Sequence, residues 1–168
     1  MKGHPGGSEH TLRMLSLAGI RSGRVLDMGA GAGESVELMR AQGISALGVD
    51  LEPRGENVLK GDMLRLPFAD EEFDGVLSQC SFFVGGDIPG ALSEAYRVLK
   101  KGGRLMLSDV CFEEAAPLIR QAGFVILYEE DMTPLWREYY FEALWNGSAD
   151  CCEYRGSCRY MLYICGKE

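Results

Sequence analysis

The sequence predicts an α/β fold: a doubly wound, mostly parallel sheet built as one domain over residues 1–168. Three observations predict it. Short apolar segments alternate with helical ones from residue 24 onward, which requires parallel strands joined by helical crossovers. The first apolar segment runs straight into a loop with glycine at 29, 31 and 33. The chain has 168 residues, 46% of them hydrophobic, enough for one buried core.

The elements follow in order. Residues 1–19 form an N-terminal arm and helix: 1–10 are polar and contain Gly and Pro, and a helix starts within Thr11–Leu17. His4 and His10 lie in this arm, where solvated surface is the default, although His10 would approach the site if the arm folded back. Arg24–Met28 is a buried strand, Gly29–Gly33 a glycine loop, and Glu34–Gln42 a helix with Val36, Leu38 and Met39 in register, stopped by Gly43. Ser45–Asp50 is the second strand and Asn57–Lys60 a weak third. Only Leu51 to Glu56 separate them, whereas a parallel crossover normally takes a dozen residues, so the intervening helix is shortened or missing. Phe73–Cys80 is the fourth strand. Ile88–Lys100 is a helix with Pro89 in its first turn and an apolar face of Ala91, Leu92, Ala95, Val98 and Leu99. After the Lys101-Gly102-Gly103 turn come a strand at Arg104–Val110, a helix at Glu113–Gln121, and strands at Phe124–Glu129 and Arg159–Cys165.

Composition removes several classes of function. A net charge of −8 argues against a general nucleic-acid or anionic-membrane binder, since phosphate contact needs a basic patch. It leaves a cationic ligand welcome. No apolar run approaches the eighteen or so residues of a membrane span, and Met1 to Gly19 lacks the zones of an export signal. Six cysteines without such a signal point to free thiols in a reducing cytoplasm.

The chemistry centres on Asp27-Met28-Gly29-Ala30-Gly31-Ala32-Gly33-Glu34. In an open α/β sheet, ligands bind beyond the carboxyl ends of the strands, where glycines admit a ligand to the backbone. A dinucleotide loop would place its third glycine at position 34, which is Glu, and a carboxylate in the first helical turn repels a pyrophosphate. The lysine of a phosphate-binding loop is missing as well. The pattern therefore suits a ligand without phosphate. Asp50, ending the second strand, can accept hydrogen bonds from both hydroxyls of a ribose. Asp62-Met63, after Gly61, is placed to meet a base, although Asp50 alone also reads as a turn former or helix cap, and Asp62 is still more open to being read as a surface turn.

These residues resemble a known family. VLDMGAGAG at 25–33 resembles motif I of the class I S-adenosylmethionine-dependent methyltransferases, GVD at 48–50 their ribose-binding acidic position, and Gly61-Asp62-Met63 their adenine-contacting motif. Leu66-Pro67-Phe68, Phe73-Asp74 and Tyr96–Gly103 resemble stretches of the branch that contains quinone-biosynthesis, sterol and arsenite methyltransferases. The resemblance covers roughly residues 20–125, with Lys101 standing where the family usually has Pro. It implies a Rossmann-like methyltransferase fold with an antiparallel seventh strand, S-adenosyl-L-methionine as cofactor, S-adenosyl-L-homocysteine as product, and methyl transfer to a small-molecule acceptor by in-line displacement. Gly29, Ala30, Gly31 and Gly33 would line the methionine part and Asp27 would order the loop or reach the amino group. Asp50 and Leu51 would take the ribose side, Asp62 and Met63 the adenine, and Gln79 would lie near the methyl group. If the acceptor is a hydroxyl, a base is needed, for which His10, Gln79, Asp109 and Tyr140 are the candidates.

With that strand order, residues 130–157 connect strands six and seven at the ligand-bearing edge. They contain a helix with Thr133 as N-cap, Pro134 at N1 and Asn146-Gly147 as stop. Its aromatic residues either form a lid over an acceptor pocket or pack wholly on the body. Cys80, Cys111, Cys151 and Cys152 fall near the same edge and form a candidate soft-metal or metalloid site, set against their reading as small buried hydrophobes. Three alternatives to a methyltransferase are a catalytically silent cofactor-binding protein, a thiol-rich metalloid binder and a nicotinamide oxidoreductase, the last disfavoured by Glu34.

Overall fold

The computed structural model describes residues 4–83, 85–111, 114–145 and 158–168. Five helices and seven strands follow one another as α1 (Gly7–Ala18), β1 (Arg24–Met28), α2 (Glu34–Ala41), β2 (Ser45–Asp50), β3 (Val58–Lys60), β4 (Phe73–Gln79), α3 (Ile88–Val98), β5 (Leu99–Cys111), α4 (Ala115–Gln121), β6 (Val125–Asp131), α5 (Thr133–Trp145) and β7 (Arg159–Gly166). The strands form one sheet in the order β3-β2-β1-β4-β5-β7-β6. β7 runs antiparallel to both β5 and β6, and the other pairings are parallel. This is the Rossmann-like arrangement expected from the alternation of strand and helix.

Alternate residues of each strand feed two cores. On one face Leu26, Met28, Val76, Leu105 and Leu107 pack against Ala91, Leu92, Ala95 and Val98 of α3 and Ala115 and Ile119 of α4. On the other, Val25, Ala46, Leu77, Met106 and Leu162 pack against Met14, Leu15 and Ala18 of α1 and Val36 and Met39 of α2. Burial of a side chain such as Leu92, which is fully enclosed, is worth about 1.5–3 kcal/mol. α3 starts where Asp87 accepts a hydrogen bond from the Gly90 amide at 2.9 Å, with Pro89 in its first turn.

The structure corrects the sequence reading at several ends. The polar arm is not free. Helix α1 begins at Gly7, its stripe of Gly7, His10, Thr11, Met14, Leu15 and Ala18 is buried, and His4 is only 9% exposed. β5 starts at Leu99, five residues before the expected position, because Lys101-Gly102-Gly103 forms an irregularity inside the strand. Thr133 is not an N-cap. Its hydroxyl accepts the Tyr160 amide at 3.1 Å, while its own amide donates to Asp131 Oδ1 at 2.9 Å. Asn146-Gly147, Cys151, Cys152 and the second half of the 130–157 connection lie outside the described residues.

The missing crossover is as expected. Residues 51–57 join β2 to a three-residue β3 without a helix. Among the described residues no helix is long and apolar enough to cross a membrane.

Candidate functional site

The sheet order reverses between β1 and β4, and beyond the carboxyl ends of these strands lies a cavity of about 600 Å3. Its walls include Asp27, Gly29, Ala30, Gly31, Asp50, Leu51, Met63 and Gln79, so the structure gathers eight of the expected residues. It also includes His4, Glu34, Ser35, Arg54, Cys80 and Ser81, which the sequence did not single out for this site.

The glycine loop is fixed from both sides. The Gly29 and Ala30 amides both donate to the Val49 carbonyl, at 2.8 and 3.1 Å. Gly29 has φ +81°, and a Cβ there would collide with the side chain of Ser81. Gly33, with φ +80°, ends the loop as the residue before α2 and does not appear in the cavity wall.

Asp50 holds the second half of the loop. Its Oδ2 accepts from the Gly31 amide and its Oδ1 from the Glu52 amide, both at 2.8 Å. A carboxylate offers about four acceptor positions, so two remain for a vicinal diol. Asp27 differs. It is 4% exposed, and its carboxyl meets no hydrogen-bond donor among the described residues. Burial, with the Asp50 charge adding to it, pushes its pKa up to about 7. An unsatisfied acid facing a cavity invites a cationic or hydrogen-bond-donating ligand.

Gln79 closes the far wall. The hydroxyls of Thr11 and Ser35 donate to its Oε1 at 3.1 and 3.0 Å, and its Nε2 lies 3.3 Å from His4 Nδ1. His4 Nε2 lies 3.4 Å from the Thr11 hydroxyl. With the ring proton on Nε2 these contacts form a closed circuit, and burial keeps His4 neutral by lowering its pKa. The circuit was hidden in sequence because it joins residues from four segments. One signal was present, however: His10 and Thr11 share a helical stripe with Met14, Leu15 and Ala18, which marks them as buried.

Besides Gly33, five described candidates are not part of the cavity wall. Asp62 is exposed, and its Oδ1 accepts from the Leu64 amide at 2.9 Å as a local turn. Asp109 is buried on the opposite side of β4. Its Oδ2 accepts from the amides of Ser81, Phe82 and Phe83 at 2.8, 2.9 and 3.3 Å, and its Oδ1 from Val110 at 2.8 Å. That carboxylate anchors a loop and has little capacity left to take a substrate proton. His10 lies between the rings of His4 and Tyr160, with both ring nitrogens buried and without a partner. Burial, assisted by His4 and Arg13, pulls its pKa down to about 4. Tyr140 stacks on Trp136, centroids 5.4 Å apart, and packs with Tyr160 in a third cluster. The neighbouring Tyr139 is not in the cavity wall either; burial, and then the charges of the cavity residues Cys80 and Glu34, raise its pKa.

Cys111 is the fifth. It packs in the core beneath α3 and α4, while Cys80 packs in the α5 cluster on the other face of the sheet. Burial pushes the Cys111 thiol up to about 12, so in the free protein it is a neutral thiol. Among the described residues no group of three or more metal-ligating side chains converges. Cys80 itself is strained, with φ +56°, where β4 turns into the cavity.

Comparison with known proteins agrees with this geometry. A family described as methyltransferase domain matches residues 26–107. A demethylmenaquinone methyltransferase of Thermobifida fusca is 32% identical over 136 residues, covering 70% of this chain and 58% of that protein. The chain spans about half the length of the curated relatives it matches, 44% and 46% in two others. Among solved structures the cyclase SpnF superposes with a TM-score of 0.80 at 21% identity, over 95% of this chain and 80% of that one. A geranyl diphosphate C-methyltransferase from Streptomyces coelicolor, in complex with S-adenosyl-L-homocysteine, gives 0.75 at 21% identity over 96% and 79%. At such identities the structural likeness establishes the fold.

Proposed function

We propose, from the premise that the chain belongs to the class I S-adenosylmethionine-dependent methyltransferases, that it methylates a small-molecule acceptor. The observation that carries this reading is the pairing of a phosphate-free glycine cradle with two acids, Asp27 and Asp50, on one cavity wall. The residues present fit the cofactor. A Cβ at Gly29 would close the cradle, and the Asp27 carboxyl lacks a partner that a ligand ammonium can supply. Gly29, Ala30, Gly31 and Asp27 would hold the methionine part, Asp50 the ribose diol, and Leu51 and Met63 the base. Gln79 would face the reacting end.

When bound, S-adenosyl-L-methionine supplies a methyl group already activated by its sulfonium. The protein then has to align the acceptor about 3 Å away and exclude water, which supplies most of the acceleration. His4, Gln79 and Cys80 shape the side on which the acceptor would lie. None is a charged base, a wall suited to an acceptor that needs no strong proton abstraction. Cys111, Cys158 and Cys165 are thiols rather than disulfides, which supports a reducing cytoplasmic setting.

Calorimetry with S-adenosyl-L-homocysteine tests the reading, with saturable one-site binding expected. Absence of heat at millimolar ligand would overturn it. Turnover on an acceptor panel then separates a transferase from a silent cofactor binder, a distinction the fold does not make, as a cyclase shares it.

Asp27 gives the binding a pH signature. Its pKa of about 7 means that near pH 6.5 the free protein carries it mostly protonated. The ligand's ammonium favours the carboxylate and lowers that pKa, so binding releases a proton. Affinity should therefore climb from about pH 5 to 7 and level off above. Titrations in buffers of different ionisation enthalpy should show release of about three-quarters of a proton near pH 6.5. Asp27→Asn should abolish it, and native binding that shows no buffer dependence would refute the assignment.

A further inference from the structure

We propose that Arg54 is a cofactor-binding residue that covers the adenosine end of the ligand, in place of the helix missing after β2; this rests on the function proposed above. The missing helix poses the question. Where a parallel crossover is normally a helix, residues 51–57 make a bare loop that dips onto the glycine loop. The Arg54 amide donates to the Gly31 carbonyl at 3.0 Å. Gly55 lies so close to the Ala32 carbonyl that any Cβ would strike it. The loop is therefore docked flush on the cradle, and Arg54 is carried to its rim.

The side chain follows the backbone there. A Cβ on Gly31 would stand 3.2 Å from a guanidinium nitrogen of Arg54, and Arg54 is part of the cavity wall. Among the described residues this guanidinium has no hydrogen-bond or ion-pair partner. That is notable in a chain of net charge −8, with Glu52 and Glu56 in the same loop. A cation left unpaired over a glycine backbone is available to a ligand.

Its position selects which part of the ligand. Gly31 is the end of the methionine cradle nearest the sugar: its amide donates to Asp50, the residue proposed for the diol, and Leu51, 61% exposed, stands on the same rim. Asp27, the group for the ammonium, lies in β1 ahead of the loop. Arg54 thus belongs to the nucleoside end. A planar, weakly hydrated guanidinium stacks on a purine face as an ammonium does not, so the role needs Arg rather than positive charge alone.

The test is calorimetry on the full chain with two probes, S-adenosyl-L-homocysteine and adenosine, for native protein, Arg54→Ala and Arg54→Lys. Arg54→Ala should weaken both probes by a similar factor, about five- to thirty-fold. Arg54→Lys should recover little of the loss. Melting temperatures should stay together, as no described residue relies on this side chain. Affinities within twofold of native for Arg54→Ala would overturn the proposal. So would a loss confined to S-adenosyl-L-homocysteine, which would put Arg54 on the ligand carboxylate. Failure of the native chain to bind either probe would instead sink the function reading, and this inference with it.

Discussion

Replacing Asp109 by alanine should destabilise the protein by about 3–5 kcal/mol, read as a fall of roughly 8–15 °C in melting temperature. Four backbone amides converge on this buried carboxylate, three of them from residues 81–83. Burial lifts its pKa to about 6, and the four donors oppose that rise, so it is mainly an anion at neutral pH. Alanine would leave those amides unsatisfied where water does not reach, at a cost of about 1–3 kcal/mol for each that finds no substitute. Asparagine keeps the shape and one acceptor oxygen, and should lose about half as much. The effect extends to the cavity, because the Ser81 hydroxyl in the released loop donates to the Gly29 carbonyl at 3.3 Å. Thermal and urea unfolding of the two variants would check this. A melting temperature unchanged in Asp109→Ala would mean that the loop does not depend on its anchor.

The second large effect is on binding. Asp50→Ala should weaken S-adenosyl-L-homocysteine by about a hundredfold or more, since two hydroxyl bonds to a carboxylate contribute about 1.5–3 kcal/mol each. The variant also strands the amides of Gly31 and Glu52. A comparison isolates the diol from this structural loss. The native chain should prefer adenosine to 2′-deoxyadenosine, and Asp50→Ala should bind the two alike. If the variant kept that preference, the diol would be held elsewhere.

Much of the site was legible because its parts are local. The glycine loop, Asp50 and Met63 each follow a strand, and the strand order alone brings their carboxyl ends to one edge. The bare β2–β3 connection was legible too, from residue count. What escaped was convergence over distance. Asp109 looked like a base because sequence cannot show the amides of residues 81–83, some 26–28 positions away, closing on it. His4 and His10 looked solvated because composition is polar there, while the turn at Gly6, φ +77°, folds the segment onto the cavity wall. Tyr139 and Tyr140 are neighbours in sequence, yet about 100° apart around α5, so one approaches Cys80 and Glu34 while the other stacks on Trp136.

The placement of β7 bears on how the chain is made. The strand is inserted between β5 and β6, and among the described residues β6 pairs with no other strand. During synthesis, two hydrogen-bonding borders therefore stay open until residues 159–166 have left the ribosome. A nascent chain halted earlier presents Val110 and the long ladder of β5 without a cover, the kind of template on which other chains add strands. Completion of the sheet thus depends on β7, and lesions there should surface as insolubility before they surface as weakened ligand binding.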